Sequence, residues 1–114
     1  MQEAVFQTDP AGKSVYVNPA WKQLTGCAAD NAIDKLVSER FCAEDQRRVA
    51  VFLERIAAGK ALSTAIEANL ACEKGEPRRV ELGAAPLVAA AGDLIGVCGT
   101  LRGVSQAQYR ATKS

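Results

Sequence analysis

Apolar and polar residues alternate singly toward both ends of the chain and fall at helical spacing in its middle. Ala4-Val5-Phe6-Gln7-Thr8-Asp9 reads as a short strand that stops at Asp9-Pro10-Ala11-Gly12, where proline presets the backbone and glycine can supply a positive φ. Ser14-Val15-Tyr16-Val17-Asn18 alternates again and completes a hairpin. Asn18-Pro19-Ala20-Trp21 then opens a helix: Asn18 can cap free amides, Pro19 suits the first helical position, and Gly26 closes the segment. Residues 27–41 carry no clean period and predict short helical turns. From Ala43 to Ala58 the period is helical, with Val49, Phe52, Leu53 and Ile56 at i, i+3, i+4 and i+7. Glu44 and Asp45 in its first turn, Arg55 near its end and Gly59 after it all agree with the helix dipole.

Alternation returns from Ser63 to Glu73, with Ile66, Ala68, Leu70 and Cys72 on one face and Glu67 and Asn69 on the other. Lys74-Gly75-Glu76-Pro77 predicts a turn, Arg78 to Val88 a strand with Val80 and Leu82 facing together, and Leu94 to Val104 a last strand after a small-residue loop. Strands grouped at both ends with helices between them predict an α+β domain, since a doubly wound parallel sheet needs the two to alternate.

Composition narrows this picture. The 114 residues suit one domain, with residues 1–105 forming it and residues 106–114 a polar tail. The tail starts a linker or an output helix through Gln106, Ala107 and Tyr109. A hydrophobic share of 48% against 24% charged is that of a globular protein, although 21 alanines thin the bulk available to its core. A net charge of +1 gives no footprint for nucleic acid. No apolar run has the length of a membrane span and no signal segment opens the chain, so a cytoplasmic protein without direct membrane contact is expected. The four cysteines, Cys27, Cys42, Cys72 and Cys98, form no C-x-x-C pair, and the chain has no histidine. Zinc and other metals are therefore not expected, and the cysteines read as reduced, small apolar side chains.

Thr8-Asp9-Pro10-Ala11-Gly12 leading to Asn18-Pro19-Ala20, Leu24-Thr25-Gly26, Glu44-Asp45 before the long helix, Glu76 to Leu82, and Ile95-Gly96-Val97-Cys98-Gly99 stand in an order and spacing that resembles the PAS domain. The resemblance runs from about Ala4 to Ser105. It implies a five-stranded antiparallel sheet with helices packed over one face, enclosing a small cavity. It also implies a sensing and protein-interaction module of a larger signalling protein, upstream of a histidine kinase, a cyclic-dinucleotide enzyme or a transcription regulator. The expected partners are a small-molecule ligand and either a second copy or an output domain. Where the family often has H-P-E-D, this chain has Cys42 and Ala43 before Glu44 and Asp45. Where the last strand often ends in D-I-T, this chain has Gly103-Val104-Ser105 and lacks the acid.

Candidate chemistry is sparse. The missing histidine argues against haem, a thiolate ligand being the remaining route. Against flavin photochemistry, Asn31 is not followed by cysteine, and Cys98 stands where photosensory relatives place a glutamine. No cofactor is therefore expected. The cavity candidates are Trp21, as core residue or ligand lid; Cys42, beside Arg40 and a helix start; and Cys98, mid-strand among glycines. Arg78 and Arg79 must face opposite sides of their strand, one solvated and the other placed to meet Glu67 or a carboxylate ligand. Asp9 reads as a turn residue. No catalytic residue is identified, for the chain offers no nucleophile–histidine pair, nucleophile elbow or phosphate loop. Two alternatives accompany the sensing function: a ligand-free dimerisation module and a small α+β ligand-binding enzyme.

Overall fold

A computed structural model describes residues 3–71 and 76–104. Its elements run β1 (Ala4–Thr8), β2 (Ser14–Val17), α1 (Pro19–Thr25), α2 (Ala29–Ala32), a 3-10 turn (Val37–Arg40), α3 (Ala43–Ala58), β3 (Ala65–Leu70), β4 (Arg78–Val88) and β5 (Leu94–Gly103). The expected helix in the tail and the position of Cys72 lie outside the described residues.

Asp9 behaves as a turn residue: one carboxylate oxygen accepts from the backbone of Ala11 and Lys13, at 2.9 and 3.0 Å, and so folds the β1–β2 connection. Asn18 does more than cap α1. Its Oδ1 accepts from Trp21 N at 3.3 Å and from Val5 N at 2.9 Å, so one amide sets the helix start against β1. Gly26 ends α1 at φ 76° and Gly59 ends α3 at φ 71°, the left-handed geometry that helix ends favour. The irregular stretch resolves into α2 and the 3-10 turn, both too short for a periodic signal.

The five strands form one antiparallel sheet in the order β2-β1-β5-β4-β3. Its first and last strands in sequence are neighbours, with Phe6 opposite Gly99 and Ala4 opposite Leu101. The register sends Leu82, Leu101 and Phe6 to one face, where they are fully buried with Trp21, Phe41 and Leu70. The helices cover this face. The other face presents half-buried or exposed Gln7, Cys98, Thr100, Ala85 and Ala65, as period-2 alternation requires.

Both outer edges of the sheet are managed. On β3, Cys42 N donates to Asn69 O at 2.8 Å, Asn69 N to Asp45 Oδ2 at 2.8 Å, and Arg48 to Glu67 O at 2.8 Å. The first turn and a half of α3 thus occupies hydrogen-bonding groups that would otherwise template another strand. On β2, Ser14 exchanges backbone bonds with Lys35 and Asp34, at 2.9 and 2.8 Å.

Candidate functional site

Two depressions open beside α3. The smaller, about 170 Å³, lies between α3, the β1–β2 turn and β5, and is lined by residues that include Gly12, Leu36, Ala50, Leu53, Ala57 and Val97. The larger, about 550 Å³, is a groove on the opposite side of α3. Its apolar surface comes from Val51, Phe52, Ala61, Leu62 and Ile66, and Arg47, Arg48, Arg55 and Glu44 line it from the helix. The apolar stripe of α3 produces this arrangement: Val49, Phe52, Leu53 and Ile56 pin the helix to the sheet and leave a flank open on each side.

The structure distributes the three sequence candidates elsewhere. Trp21 is fully buried and meets Phe6 edge to face, with ring centroids 6.0 Å apart and planes at 67°. That geometry is core packing. Its indole Nε1 is the one buried side-chain polar atom without a hydrogen-bond partner among the described residues. Cys42 is half-buried at the N-cap of α3, where its side chain makes no cap hydrogen bond. Its backbone does the positioning, accepting from Asp45 N and Gln46 N at 2.8 and 3.1 Å. Cys98 is placed differently from the expectation that it faces an interior cavity. Its neighbours Val97 and Gly99 point into the core, so alternation turns Cys98 to the face opposite the helices, between Gln7 and Ala85. None of the three is among the residues that line the two depressions.

Two glycines of β5, Gly99 and Gly96, are set by close contacts with β1. A Cβ on Gly99 would lie 2.4 Å from Phe6 Cζ and 2.7 Å from Gly83 O. The Phe6 ring therefore sits where a side chain would be, with Trp21 packed beyond it. Gly96 has φ 155°, and a Cβ there would strike the Thr8 carbonyl oxygen at 1.8 Å. Next to it Thr8 Oγ1 accepts from Val97 N at 3.2 Å. These contacts lock β1 to β5 at the mouth of the smaller cleft.

Charged groups on the sheet are mostly paired. Arg79 meets Glu67 at 3.2 Å, one of the two outcomes open from sequence, and Arg102 meets Glu81 at 2.7 Å. Asp45 is 9% exposed and its titration is displaced. Burial pushes its pKa up, but the hydrogen bond from Asn69 N, the hydrogen bond and charge of Arg48, and the charge of Arg79 outweigh this and hold it below 3.8.

The lining residues of both depressions escaped the sequence reading. Arg47, Arg48 and Arg55 are visible as helix charges, but nothing in the primary structure says that Leu62 and Ile66 return to flank them.

A family profile described as the PAS fold matches residues 1–108. No curated protein matches the chain. Among solved structures, the PAS domain of a protein from Colwellia psychrerythraea superposes with a TM-score of 0.78 at 17% identity, covering 91% of this chain and 87% of that one. A light-oxygen-voltage domain studied with a flavin analogue gives 0.76 at 19% identity, over 98% and 84% of the two chains. A sensory box histidine kinase/response regulator from Burkholderia thailandensis gives 0.71 at 17% identity, over 97% and 83%. With the profile spanning nearly the whole sequence and the sheet five-stranded and antiparallel as the motifs implied, the chain belongs to the PAS family.

Proposed function

We propose that this PAS domain is the sensing module of a larger signalling protein, with its input arriving at the cleft between α3 and β5 and its output leaving at the end of β5. The observation that carries this reading is the place of β5. It pairs on both sides, contributes Val97 to the cleft, and leads out of the sheet where Val104 N donates to Arg79 O at 3.0 Å. A cleft of about 170 Å³ suits a ligand of few heavy atoms, well below the drug-sized range. Occupancy that favours one packing of α3 against β5 would shift the population at the strand's C-terminal end. The relatives named for sensing and light response share this fold and support the reading by analogy. Flavin stays outside the proposal, because the inward residues Val97, Gly99 and Leu101 carry no amide to read its ring.

Filling the cleft tests this without knowing the ligand. Ala50→Phe should move amide resonances from Val97 to Val104 and into the residues that follow. Changes confined to α3 and the β1–β2 turn would remove the basis for the proposal.

A second reading, a dimerisation module, is favoured by the sheet face opposite the helices, which no described element covers. Two cross-strand rows there, Val5–Thr100–Gly83–Ala65 and Cys98–Ala85, are small or apolar, with Gln7 at the end of the second. Ala85→Arg should leave the fold intact and convert a dimer to a monomer in sedimentation velocity. A monomeric parent chain at high concentration would eliminate this reading.

A further inference from the structure

The larger groove carries chemistry that the sensing cleft does not. Its apolar surface is uncovered: Val51, Ala61 and Ile66 are half-buried, and Leu62 is 97% exposed, the extreme among the large apolar side chains. An isolated exposed leucine requires no explanation, but one continuous with a 550 Å³ concavity marks surface suited to a partner or ligand. The charges beside it are unequal. Arg48 is committed to Asp45 and to Glu67 O. Arg47 and Arg55 are exposed and form no ion pair or side-chain hydrogen bond among the described residues. Among the described residues Glu44 is the one acid lining the groove, three residues before Arg47 and eleven before Arg55, so the described lining at Arg55, Leu62 and Ser63 is positive. Arg47 and Arg55 are separated by about 12 Å along the helix axis, with Val51 between them.

We infer that this groove binds an amphiphilic carboxylate, an acid carried on an aliphatic chain. Its carboxylate pairs with the Arg55 guanidinium, and its chain lies over Val51, Phe52, Leu62 and Ile66. A guanidinium matches a carboxylate in a bidentate fashion. The volume lies within the range of small-molecule sites. Residues 105–114 carry Arg110 and Lys113 and no acidic side chain to offer such a groove.

The probe is decanoate, with decan-1-ol as its uncharged counterpart, titrated into the full chain by two-dimensional amide NMR. Decanoate should give saturable shifts at Val51, Phe52, Arg55 and residues 61–66, weakening as salt is raised. Arg55→Gln should lower its affinity about tenfold, the scale of one charge-assisted hydrogen bond, while leaving decan-1-ol unaffected. Because Arg55 is exposed, its thermal midpoint should match the parent's and separate lost binding from lost folding. Val51→Asp should abolish binding of both probes. No saturable shift at millimolar decanoate, shifts confined to the α3–β5 cleft, equal affinity for the two probes, or self-association that fills the groove would each overturn the inference. Failure of the Ala50→Phe test would leave it standing, since the two sites lie on opposite flanks of α3.

Discussion

Two glycines on β5 show how much of the core depends on absent side chains. At Gly99 the Phe6 ring fills the space of a Cβ, and Phe6 in turn supports Trp21. Gly99→Ala must displace that ring or separate β5 from β4, at a cost of about 1–3 kcal/mol typical of overpacking. Gly96→Ala meets a backbone carbonyl that cannot rotate away, in a backbone conformation that L residues rarely adopt. In urea denaturation both variants should be less stable than the parent, with Gly96→Ala the worse. Equal stability of parent and Gly96→Ala would show that β1 and β5 are not held this closely. Near-ultraviolet circular dichroism should report the loss of the fixed Phe6–Trp21 geometry in Gly99→Ala.

At the scale of elements, the decisive junction is where α3 begins. A helix whose N-cap is a cysteine without a cap hydrogen bond would start poorly on its own. Asp45 instead spends its carboxylate on Asn69 N and Arg48, which ties α3 to the edge strand β3. Asp45→Ala leaves the Asn69 amide unsatisfied and should destabilise the domain by about 1–3 kcal/mol at neutral pH. The pH dependence follows from the depressed pKa. The contribution is fully present above the unfolded pKa, near 4, and is lost as pH falls through the lower folded value. The stability difference between parent and Asp45→Ala should therefore be flat above about pH 5 and shrink below about pH 4. A difference independent of pH down to acid unfolding would contradict this account of Asp45.

For the whole molecule, the sheet order places the termini of the fold side by side at its centre. β5 is bonded on both flanks and buries Val97 and Leu101, whereas β2 is an outer strand with Tyr16 and Val15 about half exposed. Hydrogen exchange should accordingly be slowest from Val97 to Leu101 and faster at Tyr16. Slow exchange in β2 with fast exchange in β5 would be incompatible with this topology. β5 also carries Val97 of the cleft and, at its other end, Gly103 beside Val104, which is why the proposed route runs along this strand.

Much of this was present in local pattern. The caps Asn18, Gly26 and Gly59, the apolar stripe of α3 and the alternation in β3, β4 and β5 are properties of neighbours in the chain, and they placed the elements correctly. Arg79 with Glu67 was also within reach, because adjacent strands bring such residues together. The short helical turns between Cys27 and Phe41 were expected from sequence, but their limits were not legible, since four-residue elements carry too few positions to establish a period. The candidate site was hardly legible at all. Cys98 resembled a cavity residue until the pairing of β5 with β1 and β4 decided which face it occupies. A strand's alternation is intrinsic to its backbone, but which of its two faces is inside depends on what packs against it. The sequence by itself determined the elements and, through the family motifs, their architecture. The two flanks of α3, the Arg55 end of the groove and the glycine seats for Phe6 and Thr8 were decided only by tertiary structure, because each joins residues that are distant in the chain and meet only when the sheet closes beneath the helix.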